Sequence, residues 1–198
     1  MKFVGLTLRV DFHESIQERR DAIDQRWYVF LEACGLCPIL LPNTVLNIDI
    51  LERLNLSGII LTGGNSLKSM GGDSPEREIF ETKLIQFALE RKLPLLGVCR
   101  GMQMLQEYFG VRLGAVQNHV KTRHSIHYLE NERNVNSYHD FGSYSSVAEL
   151  KILAQSADGV IEAILHESLP IKGIMWHPER ESQINSLDIA MFKQHFNS

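Results

Sequence analysis

A cysteine between two glycines is the residue in this sequence best suited to act as a nucleophile. Gly97, Cys99 and Gly101 form a Gly-x-Cys-x-Gly motif, the cysteine version of the nucleophile elbow, a sharp turn between a strand and a helix. Glycines suit this turn because strand and helix pass too close to leave room for a Cβ. A thiol at a helix N-terminus also lies at the positive end of the helix dipole, which favours the reactive thiolate. The alternative is a buried structural cysteine.

A cysteine nucleophile needs a base and a group that orients the base. His177 and Glu179 are two residues apart in Trp-His-Pro-Glu, so in an extended chain they face the same side. Glu179 would hold the imidazole in one tautomer while His177 takes the proton of the Cys99 thiol. Alone, His-x-Glu is more typical of a solvated loop. The elbow makes the catalytic interpretation the favoured one.

Acyl transfer also needs hydrogen-bond donors for an oxyanion. The main-chain N–H of Arg100, directly after the cysteine, is the usual first donor at an elbow. Gly64, in a Gly63-Gly64 pair, is predicted to supply the second, because a glycine lets the backbone approach a ligand closely. A tight turn that needs a positive φ explains the same glycines.

The elements that must position these groups alternate between strands and helices. Short apolar runs predict strands over 3–10, 37–41, 58–61, 92–98 and 171–176. Apolar residues at helical spacing predict a helix ending at Gly35, one beginning at Ser74-Pro75, one after Cys99 and one near the C-terminus. A polar loop is predicted over 11–17, and short, partly antiparallel strands over 125–129, 134–137 and 160–165.

This alternation predicts a parallel α/β sheet whose ligand site lies beyond the carboxyl ends of the strands. Gly63-Gly64 and Cys99 both follow predicted strands directly, as that rule requires. With 198 residues and 44% hydrophobic residues, we expect one domain over 1–198.

Charge and cysteine content exclude several classes of partner. A net charge of −4 argues against nucleic acid, and no apolar run approaches the ~20 residues that span a bilayer. Three cysteines without a secretion signal predict free thiols in the cytoplasm. The sequence leaves the oligomeric state open, a homodimer included.

Several ordered motifs give the chain a family resemblance. The elbow through Gln103 together with Trp176-His177-Pro178-Glu179 resembles the class I glutamine amidotransferase superfamily, and an Arg after the Cys is similar to its stand-alone γ-glutamyl hydrolase branch. The resemblance extends over nearly the whole chain, through 35–42, 61–64, 135–139 and 157–163. It implies a flavodoxin-like three-layer sandwich with a mostly parallel sheet and a small antiparallel β excursion.

The same resemblance implies an activity and its residues. Cys99, His177 and Glu179 would form the triad of a hydrolase that releases glutamate from a small γ-glutamyl amide through a thioester, without a metal or organic cofactor. It also implies that the glutamyl group is held by residues elsewhere in the chain: by the main chain at Ser137 and Tyr138, by the Gln103 side chain and, at its ammonium, by Glu162. The alternatives are that Ser137 and Tyr138 form a turn at a strand edge, that Gln103 is an ordinary residue on a helix face and that Glu162 is a solvated carboxylate.

Departures from the family pattern concern packing and the leaving group. Met175 stands where a Gln is usual, and Thr62 replaces a frequent proline, which leaves the second oxyanion donor less defined. Asp140 and Phe141 follow His139 where the hydrolase branch commonly has a Gln, so leaving-group recognition is expected to differ.

Arginines near the first helix could receive an anionic leaving group such as a phosphate. Arg19, Arg20 and Arg26 surround the predicted helix, and a solvated helix face is the alternative for each. Because of these arginines and the chain length, the sequence resembles the γ-glutamyl-CDP-amidate hydrolases of capsule biosynthesis, which belong to the same superfamily.

Two other groups of residues could carry function. Cys34 and Cys37 form a Cys-x-x-Cys that ends a helix rather than starting one, so we expect structural thiols. Four histidines lie within 21 residues, but their spacing matches no recognised metal pattern, and we predict a polar wall of the active site and no metal: His119, His124, His127 and His139.

Two further functional interpretations remain open. A glutaminase subunit would pass ammonia to a synthase on a separate partner chain, since no synthase domain is present in 198 residues. The second interpretation is a non-catalytic binding member of the fold. The presence of Cys99, His177 and Glu179 argues against it.

Overall fold

The computed structural model describes residues 1–44 and 48–197. In chain order its strands are β1 (Lys2–Thr7), β2 (Arg9–His13), β3 (Glu18–Ala22), β4 (Leu36–Leu41), β5 (Gly58–Leu61), β6 (Leu95–Val98), β7 (Gly114–Ala115), β8 (Val120–Tyr128), β9 (Asn131–Tyr138), β10 (Phe141–Gly142), β11 (Leu150–Ser156), β12 (Ile161–His166) and β13 (Ile171–Ile174). The helices are α1 (Arg26–Ala33), α2 (Pro75–Arg91), α3 (Arg100–Tyr108) and α4 (Ser186–Asn197), with short 3-10 helices at Glu14–Ile16, Ile48–Leu54, Lys68–Met70 and Pro178–Arg180.

A nine-stranded sheet forms the centre of the molecule, in the order β4-β1-β5-β6-β13-β12-β11-β8-β9. The first five strands pair in parallel, and the last four continue the same sheet in antiparallel fashion. Small two-stranded sheets pair β7 with β10 and β2 with β3. The predicted α/β class with an antiparallel excursion is confirmed.

Helices cover both faces of the sheet, which explains why β5 is apolar at every position. Ile59 and Leu61 pack in a core cluster with residues of α2 and α3, whereas Ile60 packs on the opposite face with residues of α1 and α4. Successive side chains of a strand point to opposite faces, so a strand buried on both faces has no polar position. The result is the predicted three-layer arrangement.

The segment after β1 differs from its prediction. The strand predicted over 3–10 is two strands, because β1 ends at Thr7, where Thr62 bonds both the Thr7 hydroxyl and its carbonyl at 3.0 and 2.7 Å. The loop predicted over 11–17 is part of the β2–β3 hairpin, in which Gln17 turns with a φ of 52°. Strand β11 was not predicted.

The hairpin also corrects the placement of two arginines. Arg19 and Arg20 lie on β3, and α1 begins only at Arg26, so Arg19 and Arg20 do not flank the first helix. Helix α2 begins at Pro75 as predicted, although Ser74 makes no side-chain capping bond. In the described part of the chain, the helices are too short or too polar to cross a membrane.

Candidate active site

Cys99 lies on the sharp turn between β6 and α3. Its φ of 54° and ψ of −110° lie in a region that residues other than glycine rarely adopt. The flanking glycines allow this turn: a Cβ on Gly97 would lie 2.5 Å from the Gly101 carbonyl carbon, and one on Gly101 only 2.0 Å from the Leu61 oxygen. The close passage of strand and helix is therefore as predicted.

His177 follows β13 and is held by Glu179. Its Nδ1 lies 2.6 Å from Oε1 of Glu179, and both residues are buried, at 2% and 4% exposure. The imidazole also lies beside Cys99, since a Cβ on Gly63 would lie 3.5 Å from both Nε2 of His177 and the Cβ of Cys99. Burial acts to lower the pKa of His177, but the charges of Glu179 and Cys99 outweigh it and raise that pKa to about 9. The three residues predicted as a triad therefore lie next to one another, and their joint role in catalysis stays a prediction.

The Gly63-Gly64 loop lies against this chain. A Cβ on Gly63 would lie 2.7 Å from Cε1 of His177 and 3.5 Å from the Cys99 Cβ. Gly64 has a φ of +87°, so the tight-turn explanation also holds there. Arg100 begins α3, where the first N–H groups have no partner within the helix. The two predicted oxyanion donors therefore belong to the Gly63-Gly64 loop and to the start of α3, which both lie beside Cys99, and their role stays a prediction.

A buried arginine that the sequence analysis did not identify fixes the same loop. Arg77 is 0% exposed and donates hydrogen bonds of 2.6 Å to the carbonyl oxygens of Thr62 and Gly64. Its Nε bonds Oε1 of Glu81 at 2.9 Å, and the other oxygen of Glu81 pairs with the Arg100 side chain. One buried carboxylate thus joins the loop to the elbow helix.

The charges in this network depend on each other. Burial acts to raise the pKa of Glu81, but Arg100 and Arg77 outweigh it and lower that pKa below its ordinary value. Burial lowers the pKa of Arg77 to about 10, which still leaves the guanidinium charged at neutral pH. Arg77 and Glu81 lie on the same face of α2 as Phe80 and Leu84. Two charged residues on a helix face predicted to be apolar are the sequence signal that could have identified this pair.

Asn136 holds the main chain of His177 in place. Its Nδ2 donates to the His177 carbonyl at 2.7 Å, and its Oδ1 accepts from the His177 N–H at 2.8 Å. The neighbouring Tyr138 places its ring edge-on to the imidazole, with centroids 5.6 Å apart. Strand β9 therefore positions the base, a role that the sequence analysis did not assign.

The residues predicted to hold the glutamyl group lie on α3 and β9. Gln103 is buried and donates from Nε2 to the Phe141 carbonyl at 2.8 Å. The Ser137 hydroxyl donates to the His119 carbonyl at 2.6 Å. β9 is the last strand of the central sheet in the described part of the chain, so peptide groups on its outer side are left for a ligand. Their contact with substrate stays a prediction.

Glu162 lies on β12 beneath three histidines. It is 0% exposed, so the alternative of a solvated carboxylate is wrong. Its Oε1 is 3.2, 3.3 and 3.5 Å from ring nitrogens of His139, His119 and His124, respectively. Burial acts to raise the pKa of Glu162, but hydrogen bonds from these imidazoles lower it well below its usual range. His127, the fourth predicted member, is exposed and outside this group.

A cavity of about 190 Å³ opens beside His177 and the Gly63-Gly64 loop. Two arginines line it, Arg9 and Arg180. A Cβ on Gly64 would lie 3.2 Å from two side-chain carbons of Arg9, and the Arg180 guanidinium lies 4.7 Å from the centre of the Tyr138 ring. Carboxylates line the cavity as well, and Arg9 pairs with Asp11 at 2.6 Å. The cavity therefore offers two guanidinium groups next to the candidate triad, of which Arg9 would have to exchange its carboxylate partner for a ligand.

The arginines predicted to contact the leaving group are engaged elsewhere. Arg19 bonds Glu76 at 2.7 Å and Arg20 bonds Glu18 at 2.6 Å, and neither belongs to the lining of this cavity. Their contact with substrate stays a prediction.

The two remaining cysteines, Cys34 and Cys37, are predicted to be structural thiols. Both thiols are free, Cys34 ends α1 and Cys37 lies in β4. Burial raises the pKa of Cys34 to about 12, which keeps it protonated and unreactive at neutral pH.

Comparison with known proteins agrees with this geometry. The chain is 31% identical over 192 residues to the γ-glutamyl-CDP-amidate hydrolase of Campylobacter jejuni, covering 94% of both chains. It is 32% identical over 160 residues to one subunit of the glutamine-hydrolysing GMP synthase of Pyrococcus abyssi, covering 75% of this chain and 79% of that one. The solved structure of PurLQS from Thermotoga maritima superposes with a TM-score of 0.72 at 19% identity over the whole of both chains, and so shares the fold.

A family model supplies the assignment. The Peptidase C26 model matches residues 3–179, a span that contains the elbow, the Gly63-Gly64 loop and the His-Pro-Glu segment. The chain therefore belongs to the Peptidase C26 family of class I glutamine amidotransferase-like proteins.

Proposed function

We propose that this protein is a cysteine-dependent hydrolase that cleaves the γ-glutamyl amide bond of a small molecule and releases glutamate. The observation that carries the proposal is the arrangement of Glu179, His177 and Cys99: Glu179 holds Nδ1 of His177 at 2.6 Å, and the charges of Glu179 and Cys99 raise the pKa of the imidazole against the effect of burial. This is the arrangement that activates a nucleophile through an oriented base. Its amide-hydrolysing relatives support the same class of reaction.

In the first half of the reaction, the Cys99 thiolate attacks the γ-carbonyl carbon and forms a C–S bond. The developing oxyanion accepts hydrogen bonds from the N–H groups of Gly64 and Arg100, an interaction whose single donors contribute about 2.7–4 kcal/mol in other enzymes. His177 then donates its proton to the amide nitrogen, the C–N bond breaks and the amine departs.

In the second half, a water molecule replaces the amine. His177, now neutral, removes a proton from this water, whose oxygen attacks the thioester carbonyl. The C–S bond breaks, glutamate leaves and Cys99 regains its thiolate beside the imidazolium. Neither half requires a metal or an organic cofactor.

Residues outside the triad would hold the γ-glutamyl group. The proposed contacts are the main chain at Ser137 and Tyr138 for the α-carboxylate and α-amine, the Gln103 side chain, and Glu162 for the ammonium. Support for the first comes from the outer edge of β9, whose peptide groups face no further strand in the described residues. Support for Gln103 comes from its buried position in the helix that starts at Cys99.

We propose a nucleotide phosphoramidate as the substrate, as in the γ-glutamyl-CDP-amidate named for the Campylobacter relative. The cavity beside His177 lies where a leaving group would emerge, and Arg9 and Arg180 line it. Guanidinium groups bind phosphate through paired, charge-assisted hydrogen bonds. These arginines support an anionic leaving group independently of Arg19 and Arg20, and this substrate would place the protein in capsule biosynthesis.

A glutaminase that serves a synthase is the second candidate. It is favoured by the similarity to one component of a glutamine-hydrolysing GMP synthase, and it would require a synthase partner chain to receive the ammonia.

A substrate panel separates the two candidates. Glutamate release would be measured from glutamine, γ-glutamyl-γ-aminobutyrate, a γ-glutamyl dipeptide and a γ-glutamyl phosphoramidate of a nucleotide, with Cys99→Ala as the control. We expect the phosphoramidate to give the highest kcat/KM by at least about tenfold, a difference of about 1.4 kcal/mol. Activity on glutamine alone would contradict the hydrolase proposal and favour the glutaminase.

A further inference from the structure

Two histidines and a glutamate from three separate segments converge at one buried point. His119 precedes β8, His139 follows β9 and Glu162 lies in β12. All three are at most 2% exposed, and one ligand atom from each lies within 4.8 Å of the others. We propose that these residues bind a divalent transition metal ion of the zinc class. The proposed chemistry at Cys99 does not depend on this ion, although the ion would take Glu162, to which the proposed function gives the substrate ammonium.

The hydrogen bonds around the two imidazoles direct a lone pair of each into the cluster. Nδ1 of His139 lies 3.0 Å from the Phe141 carbonyl oxygen, which only accepts, so Nδ1 carries the proton and Nε2 is the free acceptor. Nε2 of His119 lies 3.1 Å from a carboxylate oxygen of Asp158, which likewise leaves its Nδ1 as the acceptor. A carbonyl or carboxylate behind the ring is the arrangement usual for histidines that bind metal.

Three acceptors therefore face one another at short range. Nδ1 of His119 is 3.3 Å from Nε2 of His139 and 3.3 Å from Oε1 of Glu162. Nε2 of His139 is 3.2 Å from the same oxygen. Hydrogen bonds to Glu162 and Asp158 raise the pKa of His119 against the effect of burial, so a metal ion here competes with a proton. With both imidazoles neutral, the three acceptors repel one another, and a metal cation between them turns this repulsion into attraction.

The three distances also match the geometry of a tetrahedral ion. Bonds of about 2.0–2.1 Å from zinc to nitrogen or oxygen give a separation of about 3.3–3.4 Å between any two ligands of a regular tetrahedron. The observed separations of 3.2, 3.3 and 3.3 Å need almost no adjustment. Imidazole and carboxylate are also the ligand types that suit zinc, cobalt and related ions.

Two buried polar atoms at the cluster have no partner of their own. Oε2 of Glu162 and Nε2 of His124 lack a hydrogen bond in the described part of the chain. His124 Nε2 lies 3.5 Å from Glu162 Oε1, at the edge of the cluster, and of these four residues only His119, His139 and Glu162 bring their ligand atoms within 4.8 Å of one another. Buried groups of this kind are normally hydrogen-bonded, so their state is an independent indication that the cluster accommodates a further group.

A metal here would position part of the proposed glutamyl site. The ion would tie the open end of the β8–β9 pair, where β8 begins and β9 ends, to β12, and the Ser137 hydroxyl bonds the His119 carbonyl at 2.6 Å. It would also occupy the Glu162 oxygen that the sequence analysis gave to the substrate ammonium. The two roles for Glu162 are therefore alternatives.

Cobalt titration tests the site without relying on catalysis. Purified Cys99→Ala protein, freed of metal by chelation, would be titrated with Co²⁺, since this substitution removes the triad thiol as a competing ligand. The visible absorption of tetrahedral Co²⁺ reports binding, and a thiolate charge-transfer band would reveal binding at Cys34 or Cys37. The same titration would be run on Cys99→Ala proteins that also carry Glu162→Gln or His139→Gln. His127→Gln, at an exposed position of β8, is the matched control.

We expect a one-to-one tetrahedral spectrum without a thiolate band, displaced by Zn²⁺ and retained in the His127→Gln protein. Glu162→Gln and His139→Gln should weaken Co²⁺ binding by at least about tenfold. Excess Zn²⁺ should also raise the Tm of the Cys99→Ala protein by about 5–10 °C. No spectrum in the parent, a thiolate band, or unchanged binding in both ligand variants would overturn the proposal.

Discussion

Arg77 donates a hydrogen bond of 2.6 Å to the main-chain oxygen of Gly64, the residue whose N–H is proposed to bind the oxyanion. A second bond of the same length holds the Thr62 carbonyl. Both carbonyl oxygens therefore point toward the guanidinium, which fixes the orientation of the loop's peptide groups before any ligand arrives. A site whose donors are oriented in advance needs little reorganisation in the transition state.

Replacing Arg77 with lysine tests this positioning role. Lysine retains the charge but cannot bond several carbonyls in a fixed fork, so we expect kcat to fall about 10²-fold with KM changed less than about threefold. Steady-state kinetics measures both values, and Arg91→Lys on the exposed end of α2 is the matched control. A kcat within about twofold of the parent would contradict the role assigned to Arg77.

Gly63→Ala tests the contact between the loop and the base. The added Cβ would lie 2.7 Å from Cε1 of His177, so the imidazole must shift from its position beside Cys99. A displacement of about 1 Å can cost about 10²-fold in rate, and we expect a fall in kcat of that size. Gly114→Ala, where a Cβ meets nothing within 4 Å, should retain the parent rate. Equal rates for the two variants would show that the imidazole tolerates the extra methyl group.

The pH profile reports the proton on His177. Its pKa, raised to about 9 by Glu179 and Cys99 against the effect of burial, means that the imidazolium persists through neutral pH. Activity should therefore fall as the pH rises through about 9, because His177 then lacks the proton that the leaving amine needs.

Glu179→Gln should move this alkaline limb to lower pH. The substitution removes a negative charge that raises the pKa of His177 and should also lower kcat by about 10²–10⁴-fold through loss of the orienting carboxylate. Rate measurements from about pH 6 to about pH 10 in both proteins test the shift, with exposed Glu167→Gln as the control. An alkaline limb at the same pH in both proteins would exclude Glu179 as the partner of the titrating group.

Arg9→Ala tests the anionic leaving group. Loss of a charged hydrogen bond worth about 1.5–3 kcal/mol should raise KM for the nucleotide phosphoramidate by at least about tenfold, while KM for glutamine stays unchanged. Arg19→Ala provides the comparison with the arginine predicted from sequence, and exposed Arg53→Ala in the 3-10 helix before β5 is the control. If Arg19→Ala alone raises KM, the phosphate contact belongs to Arg19 on β3 and not to Arg9.

The sequence predicts the site best where the chemistry is local. The elbow is recognisable because Gly97 and Gly101 lie within two residues of Cys99 and serve the same turn. His177 and Glu179 are two residues apart and remain partners in the structure. Short-range patterns such as these carry their geometry with them, which is why the elbow and the pairing of His177 with Glu179 could be predicted.

The parts that escaped prediction depend on contacts between distant segments. Arg77 and Glu81 join a loop to α3, and Asn136 reaches His177 across 41 positions. The β2–β3 hairpin buries little apolar surface, so hydrophobic periodicity gave no signal for it. The histidine cluster takes its members from three segments, which a search for fixed ligand spacing cannot find.

The central claim is that Cys99 carries the γ-glutamyl group as a thioester. The most direct measurement mixes the enzyme with a γ-glutamyl phosphoramidate nucleotide, quenches in acid and maps the modified peptide by mass spectrometry, alongside glutamate release by Cys99→Ala. We predict one γ-glutamyl group on the peptide containing Cys99 and a loss of more than about 10³-fold in release by the variant. Glutamate release by Cys99→Ala at the parent rate would contradict the account.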